Sequence, residues 1–552
     1  MNTLSINLYI PGLSAYQDQV ANVGISSLYA LSLYTVIKSG QFSLAHLAFG
    51  AIGAYTGALL AIKTGLPFVA AVALAVAAST MAALLLGLVT SRLRYVFLAI
   101  ATVGFAEAVR IIATNLTSVT GGSLGLNGIP RQVGPVSIWL VVALAAWFLH
   151  RLNISRAGRA IAAVGADEVA ARSQGINVSA TKLFAMGVSG ALGGAAGSLA
   201  VFNEYHVDPT QFALAPTLMV LVYVIVGGVD SVLGPILGTI LISLIPNLIR
   251  AVGYGSGWIA SALQGAVMLA VIIFLPNGLS GRLPKRSSKL VPSVERADDA
   301  TPLGITVRNL TVSFGGVHAV QNFDMDMKPG EVLGIVGPNG AGKTTLINAV
   351  SGVVRANSGT VHMDGVDVTN QGANRMARAG VARTFQNLRL FERMSALDNA
   401  LVGTHRLARE DFISTQLIRP KARRQRAGLV ARASGAIELV GLAARASTPA
   451  GQLAYGERRR VEIARALSSN PGLIILDEPV AGMNASEVAT MSKLVREIAN
   501  AGRTVVVIEH NLGFVRETCN RVIVLASGKL LADGEYAEII SNKNVVEAYL
   551  GA

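Results

Sequence analysis

The 552-residue chain is 52% hydrophobic and only 14% charged, with a mean hydropathy of +0.52, which excludes an ordinary soluble protein and places much of the chain in a membrane. Its net charge of +14 excludes a nucleic-acid footprint because it is not pooled: residues 1–302 hold 17 Lys and Arg against 10 Asp and Glu, and the remainder holds 29 against 22. A single cysteine, Cys519, excludes an intrachain disulfide and gives no sign of redox chemistry.

Nine apolar runs approach the roughly 20 residues needed to cross a bilayer. They lie near residues 20–37, 45–62, 67–91, 95–114, 136–150, 183–202, 214–229, 232–250 and 259–275. Several are short and Gly-rich, which favours close helix packing. The polar start ahead of them argues against a cleaved signal peptide. Ionisable groups inside such runs ask for a role. His46, beside Gln41 and Ser43, either lines a pathway or caps a helix. Glu107 and Arg110, three residues apart, share a helix face and are read as neutralising each other in preference to contacting substrate. Between the fifth and sixth runs, Ser155–Lys182 alternates Ala, Gly and charge and reads as a short amphipathic helix on the membrane's inner face. Glu204, His206 and Asp208 after the sixth run are too poorly spaced for a metal site. Residues 284–302, rich in Ser, Pro and mixed charge with no apolar period, read as a flexible linker joining a region 1–283 to a region 303–552.

The second region carries chemistry. GEVLGIV reads as a strand, GPNGAGKTT (Gly337–Thr345) as a turn, and LINAVSGVV as a helix. In that setting Gly337, Gly340 and Gly342 let backbone N–H groups close around phosphate oxygens at a helix N-terminus. Lys343 would reach the β and γ phosphates, and Thr344 supplies a hydroxyl for Mg²⁺. The basic run Lys421, Arg423, Arg424 and Arg426 has no interleaved aromatics for base stacking and reads as a solvated helix face near lipid. LIILDEP (Leu473–Pro479) is an apolar run typical of a parallel strand buried on both faces, ending in two carboxylates. Asp477 is placed to hold Mg²⁺ through water, and Glu478 to polarise the attacking water as general base. TVVVIEH delivers His510 to the carboxyl end of a further strand, the edge where ligands bind in open α/β sheets, as a γ-phosphate contact.

With LAYGERRRVEIARAL (Leu453–Leu467) lying between the loop and the acidic strand, and Gln386 in RTFQNLRLF, residues 303–552 resemble the ATP-binding subunits of ABC transporters. Tyr455 in the signature segment and the ending NVVEAYLG are similar to the ATPases of branched-chain amino-acid importers. Four pieces of the first region resemble the permeases of the same importers: GQFSLAHLAFGAIGAYTG, TGGSLGLNGIP, GGVDSVLGPILGT and FLPNGLSG. Asp230 interrupts the third where a small residue is usual.

The resemblance implies an α-helical polytopic membrane domain followed by an α/β P-loop ABC ATPase domain. It implies ATP and Mg²⁺ as cofactors, with Asn339 and Thr345 joining the loop residues around the phosphates, Gln386 joining Thr344 and Asp477 at the metal, and Phe314 stacking on adenine. Phe323 reads as core. The signature, with Ala454 and Gly456, would complete the ATP site of a second ATPase subunit. Ala454 stands where Ser is usual and removes a hydroxyl hydrogen bond to the γ-phosphate worth about 1.5–3 kcal/mol; Arg458 stands where Gln is usual. The 155–182 loop, around Asp167 and Glu168, would dock on the ATPase, and Gln386 would link ATP to it. The expected assembly adds a second permease subunit and a periplasmic substrate-binding protein that docks near Glu204–Asp208, and it excludes nucleic acid. An ATPase facing the cytoplasm across a bacterial inner membrane puts Arg282, Arg92, Arg94, Lys38 and Arg151–Lys182 inside and the N-terminus outside, in accord with the positive-inside rule. The expected function is ATP-driven import of branched-chain or related amino acids. Urea, short amides or aromatic acids are alternative substrates, and an ATP-gated channel or sensor is an alternative class.

Overall fold

The computed structural model describes residues 16–91, 93, 95–251, 257–282, 290, 291, 300–408 and 420–550. The N-terminal polar start, Arg92, Arg94 and most of the expected linker lie outside the described residues, as do the side chains of Arg282 and Lys421. The chain divides into two compact units, Met1–Gly165 with Ser179–Lys285, and Ala166–Val178 with Arg286–Ala552.

The helices up to residue 282 are α1 (Gln17–Lys38), α2 (His46–Thr64), α3 (Phe68–Thr90), α4 (Tyr95–Asn115), α5 (Pro135–Ile154), α6 (Arg156–Ala166), α7 (Glu168–Ser173), α8 (Val178–Glu204), α9 (Leu214–Gly227), α10 (Leu233–Ala251) and α11 (Gly257–Phe274). Each expected apolar run coincides with one of them. Among the described residues six helices, α1–α5 and α8, are long and apolar enough to cross a membrane, and Leu214–Gly227 (α9) and Leu233–Pro246 of α10 are shorter apolar helices. Small residues set the packing of α2 on α8. A Cβ at Gly197 would lie 1.9 Å from the carbonyl oxygen of Gly50, so the two backbones meet only because Gly197 has no side chain. Glu107 and Arg110 are ion-paired on α4, and His46 begins α2 fully buried.

The 155–182 loop differs from expectation in being two helices rather than one. The break falls at Asp167, whose backbone is extended and whose carboxylate accepts from Ala170 N at 2.8 Å. An aspartate that caps a new helix competes with continuation of the old one. Residues 166–178, α7 included, group with the second unit.

In the second unit β1 (Ile305–Phe314) and β2 (Val317–Met327) form a hairpin. They are followed by β3 (Val332–Val336), α12 (Lys343–Val350), β4 (Ser358–Met363), β5 (Val366–Asp367), α13 (Ala373–Ala379), β6 (Val381–Arg383), α14 (Ala396–Gly403) and α15 (Pro420–Leu439). Next come α16 (Tyr455–Ser468), β7 (Leu473–Asp477), α17 (Ala485–Asn500), β8 (Thr504–Ile508), α18 (Leu512–Thr518), β9 (Arg521–Ala526) and β10 (Lys529–Gly534). One sheet has the order β10-β9-β3-β8-β7-β6, parallel except for β10, and a smaller antiparallel sheet has the order β2-β1-β4-β5. Strands β3, β7 and β8 are buried at every position because both faces are covered. Leu333, Ile335, Leu473, Ile475, Val506 and Ile508 face one core with α12 and the smaller sheet, which also holds Phe323. Val332, Ile474, Leu476, Val505 and Val507 face the other with α14–α17. This layering sets the C-terminal ends of β3, β7 and β8 side by side.

Candidate functional site

The loop between β3 and α12 begins the site. Gly337, Gly340 and Gly342 all have positive φ, at 152°, 79° and 98°. A Cβ would lie 2.1 Å from the carbonyl oxygen of Leu525 at Gly337, and 2.1 Å from that of Ala319 at Gly342. No side chain fits at Gly337 or Gly342; Ala341 N bonds back to Pro338 O at 3.2 Å, and a glycine-rich turn of this kind can present its other amides to an anion. Lys343 is buried and donates to the carbonyl oxygens of Gly337 at 2.8 Å and Pro338 at 2.9 Å, so its ammonium lies across the loop. Burial pulls its pKa down, opposed by Glu478 and Asp477. Asn339 is exposed, and Thr344 and Thr345 are half-buried on the first turn of α12.

The end of β7 supplies two carboxylates with different surroundings. Asp477 is fully buried. Its Oδ2 accepts from Arg383 Nη2 at 3.0 Å, while Oδ1 has no hydrogen-bond partner among the described residues. Burial raises its pKa, and Arg383 opposes the rise. Glu478, with φ 49°, turns the chain out of the strand and hydrogen-bonds back to Ile508 O at 2.9 Å. Its Oε1 accepts from Gln386 Nε2 at 3.1 Å and lies 3.3 Å from His510 Nε2. Glu478, Gln386 and His510, distant in sequence, therefore share one carboxylate oxygen.

Phe314 lies half exposed at the end of β1. Ala454 and Gly456 start α16, capped by Glu457 accepting from Ala454 N at 3.0 Å. Among the described residues no hydrogen bond or ion pair joins Ala454 or Gly456 to the loop, Glu478 or His510. Arg458 pairs with Glu392. On the other unit, His206 Nδ1 meets Asn127 Oδ1 at 2.7 Å and its Nε2 lies 3.3 Å from Asp208. Among the described residues no group of three His, Cys, Asp or Glu could hold a metal.

Two residues that sequence reasoning passed over hold this site together. Arg383 Nη1 also donates to Asn348 Oδ1 at 2.6 Å and Ser351 Oγ at 2.9 Å, tying Asp477 to α12. Glu509, beside His510, is buried and accepts from the amides of Val480 at 2.9 Å and His510 at 3.0 Å, tying the chain after Glu478 to the chain after β8. Burial pushes its carboxyl up. The signal was present in both cases: a charge at the end of an otherwise apolar strand.

The family of ABC transporters matches residues 320–481, and the permease component of branched-chain amino acid transport systems matches residues 18–272. The high-affinity branched-chain amino acid transport ATP-binding protein BraF of Pseudomonas aeruginosa is 37% identical over 248 residues, 45% of this chain and 97% of that protein. LivG of Escherichia coli, of the same description, matches with the same identity and coverage. A solved nucleotide-free ATP-binding cassette from an ABC transporter is 29% identical, covering 45% of this chain and all of that one, with a TM-score of 0.40. A loop built for phosphate, a carboxylate edge opposite it and these two matches lead to one statement: the chain belongs to the branched-chain amino acid ABC transport family, a multi-pass membrane protein that binds ATP and couples its hydrolysis to transport, with permease and ATPase in one polypeptide.

Proposed function

We propose that this chain is the permease-plus-ATPase component of an importer for branched-chain or related hydrophobic amino acids in a bacterial inner membrane, with its ATPase in the cytoplasm. One chain holds one phosphate loop and one signature helix. The working assembly therefore adds a second ATPase subunit, a second permease subunit and a periplasmic binding protein. Ala454 and Gly456 serve the second ATPase's nucleotide.

The observation that carries the reading is the convergence of Gln386 and His510 on Glu478. Glu478 accepts a proton from the attacking water. His510 donates to the γ-phosphate, and Gln386 holds the carboxylate until nucleotide arrives. The loop amides and Lys343 bind the phosphates, and Phe314 offers an exposed ring to adenine. The Oδ1 of Asp477, buried and without a hydrogen-bond partner among the described residues, and the hydroxyl of Thr344 at the start of α12 fit Mg²⁺, with Gln386 nearby through Glu478. Bound there, the ion would neutralise charge developing on the phosphates.

The test is uptake of labelled leucine into vesicles carrying the chain with its partner subunits and binding protein, beside Glu478→Gln. Loss of both uptake and hydrolysis in the variant, by at least about 10²-fold as for removal of a general base, is expected. Uptake that persists in the variant would point instead to an ATP-gated channel. Intact hydrolysis without leucine uptake would move the substrate to urea, amides or aromatic acids.

A further inference from the structure

Gln386 and Arg389 lie on one short segment following β6, and each reaches a different partner. Gln386 Nε2 donates to Glu478 at 3.1 Å, and Arg389 Nη1 donates to Asp167 Oδ2 at 2.8 Å. Asp167 caps α7, in the stretch that the chain inserts between the apolar helices α5 and α8. The backbone of the segment is gripped from one side by three charges of α16. Arg459 Nη1 donates to Phe385 O at 2.5 Å and its Nη2 to Gln386 O. Arg465 Nη1 donates to Arg389 O at 2.5 Å, and Glu462 Oε1 accepts from Phe385 N at 3.3 Å. Glu462 also lies 3.2 Å from Arg459 and 3.4 Å from Arg465. All three side chains are buried, at 2% exposure or less.

A triad of this kind is costly to build, because each ion gives up its water, and it contributes geometry more than stability. Three backbone carbonyls and one amide, held by ions that hold one another, leave residues 385–389 little freedom to move except as a body. Arg459 Nε and Arg465 Nε have no hydrogen-bond partner among the described residues, so the network is satisfied where it meets the segment and not throughout; interlocked contacts of this kind have discrete arrangements rather than a continuum of them. We infer that the Arg459–Glu462–Arg465 triad is a clamp that makes the Gln386–Glu478 contact and the Arg389–Asp167 contact change together, with Glu462 as its positioning residue. The inference rests on the reading of Gln386 and Glu478 given above and adds how their state reaches the segment around Asp167.

The experiment uses the complete transporter in vesicles, with Glu462→Gln, Asp167→Asn and their double variant, measuring uptake and hydrolysis on the same preparation. Uptake per ATP hydrolysed is expected to fall at least about fivefold in each single variant, the lower end of ordinary coupling, with the KM for ATP held within about twofold. The double variant should be no worse than the poorer single, as for two residues in one chain of contacts. Uptake and hydrolysis falling in equal proportion, or single effects that multiply in the double variant, would overturn the clamp. Should Glu462→Gln not accumulate, Arg459→Lys takes its place, keeping a cation beside Glu462 while losing the fork on the Phe385 and Gln386 carbonyls; the same fall is expected. Hydrogen exchange on adding ATP provides a readout independent of substrate. Segments 166–178 and 385–389 should respond together in the natural chain and separately in the variant, and an unchanged joint response in the variant sinks the proposal. Absence of leucine uptake by the natural chain would count against the substrate reading alone, leaving exchange to decide the clamp.

Discussion

At Asp477 one carboxylate oxygen is held by Arg383 and the other has no hydrogen-bond partner among the described residues. Truncating Arg383→Ala leaves an uncompensated buried carboxylate, for which a loss of about 3–5 kcal/mol is typical. Thermal unfolding of the chain should register it as a lowered midpoint. The sign of its pH dependence follows from Asp477. Its folded pKa, already raised by burial, rises further without Arg383, so the folded variant binds a proton that the unfolded chain has released, and stability falls as pH rises between the two values. The penalty should therefore be smaller at pH 5 than at pH 8. An equal penalty at both would mean that Asp477 is not the group affected.

At the scale of elements, α16 does two things at once. Its interior charges grip residues 385–389, and its N-terminus presents Ala454. Ser at that position would accept from the first-turn amides, an N-cap stabilisation of about 1 kcal/mol, and would restore a hydroxyl for a second subunit's nucleotide. Ala454→Ser should thus raise both the unfolding midpoint and the turnover of the assembled transporter; a raised midpoint without faster turnover would leave capping as its whole effect. How far such roles could be read beforehand depends on where an element's partners lie. The strands β3, β7 and β8 were legible because burial on both faces leaves an unbroken apolar run, and each leads into residues with distinctive chemistry: Gly337 after β3, Asp477 and Glu478 at the end of β7, Glu509 and His510 after β8. The break between α6 and α7 was not, since the run of Ala around it favours helix and only the capping geometry of Asp167 overrides that preference. Arg459, Glu462 and Arg465 recur at spacings that share a helix face, but what buries them is a segment some 70 residues earlier in the chain.

On the scale of the whole molecule, composition separates a region of apolar runs from one of alternating strands and helices, and the chain divides into two compact units, Met1–Gly165 with Ser179–Lys285 and Ala166–Val178 with Arg286–Ala552. Residues 166–178 belong by sequence to the apolar region and by packing to the ATP-binding unit. No periodicity could have said so, because their partners are far along the chain: Arg389, which pairs with Asp167, is 222 residues away, and Glu168–Ser173 packs on Ala373–Ala379. The residues of the nucleotide site were legible because phosphate chemistry demands particular glycines at particular spacings. The residues that line a solute pathway face no such demand, and His46 and Glu107 still have two readings each.

Glu478 occupies a backbone conformation, φ 49°, that a side chain with a Cβ enters at a cost of roughly 1–2 kcal/mol. Glycine there would relieve that strain and delete the base in the same step, so Glu478→Gly should unfold at a higher temperature than the natural chain while hydrolysing almost no ATP. Improvement of fitness for the fold and loss of the work it performs thus point along the same substitution.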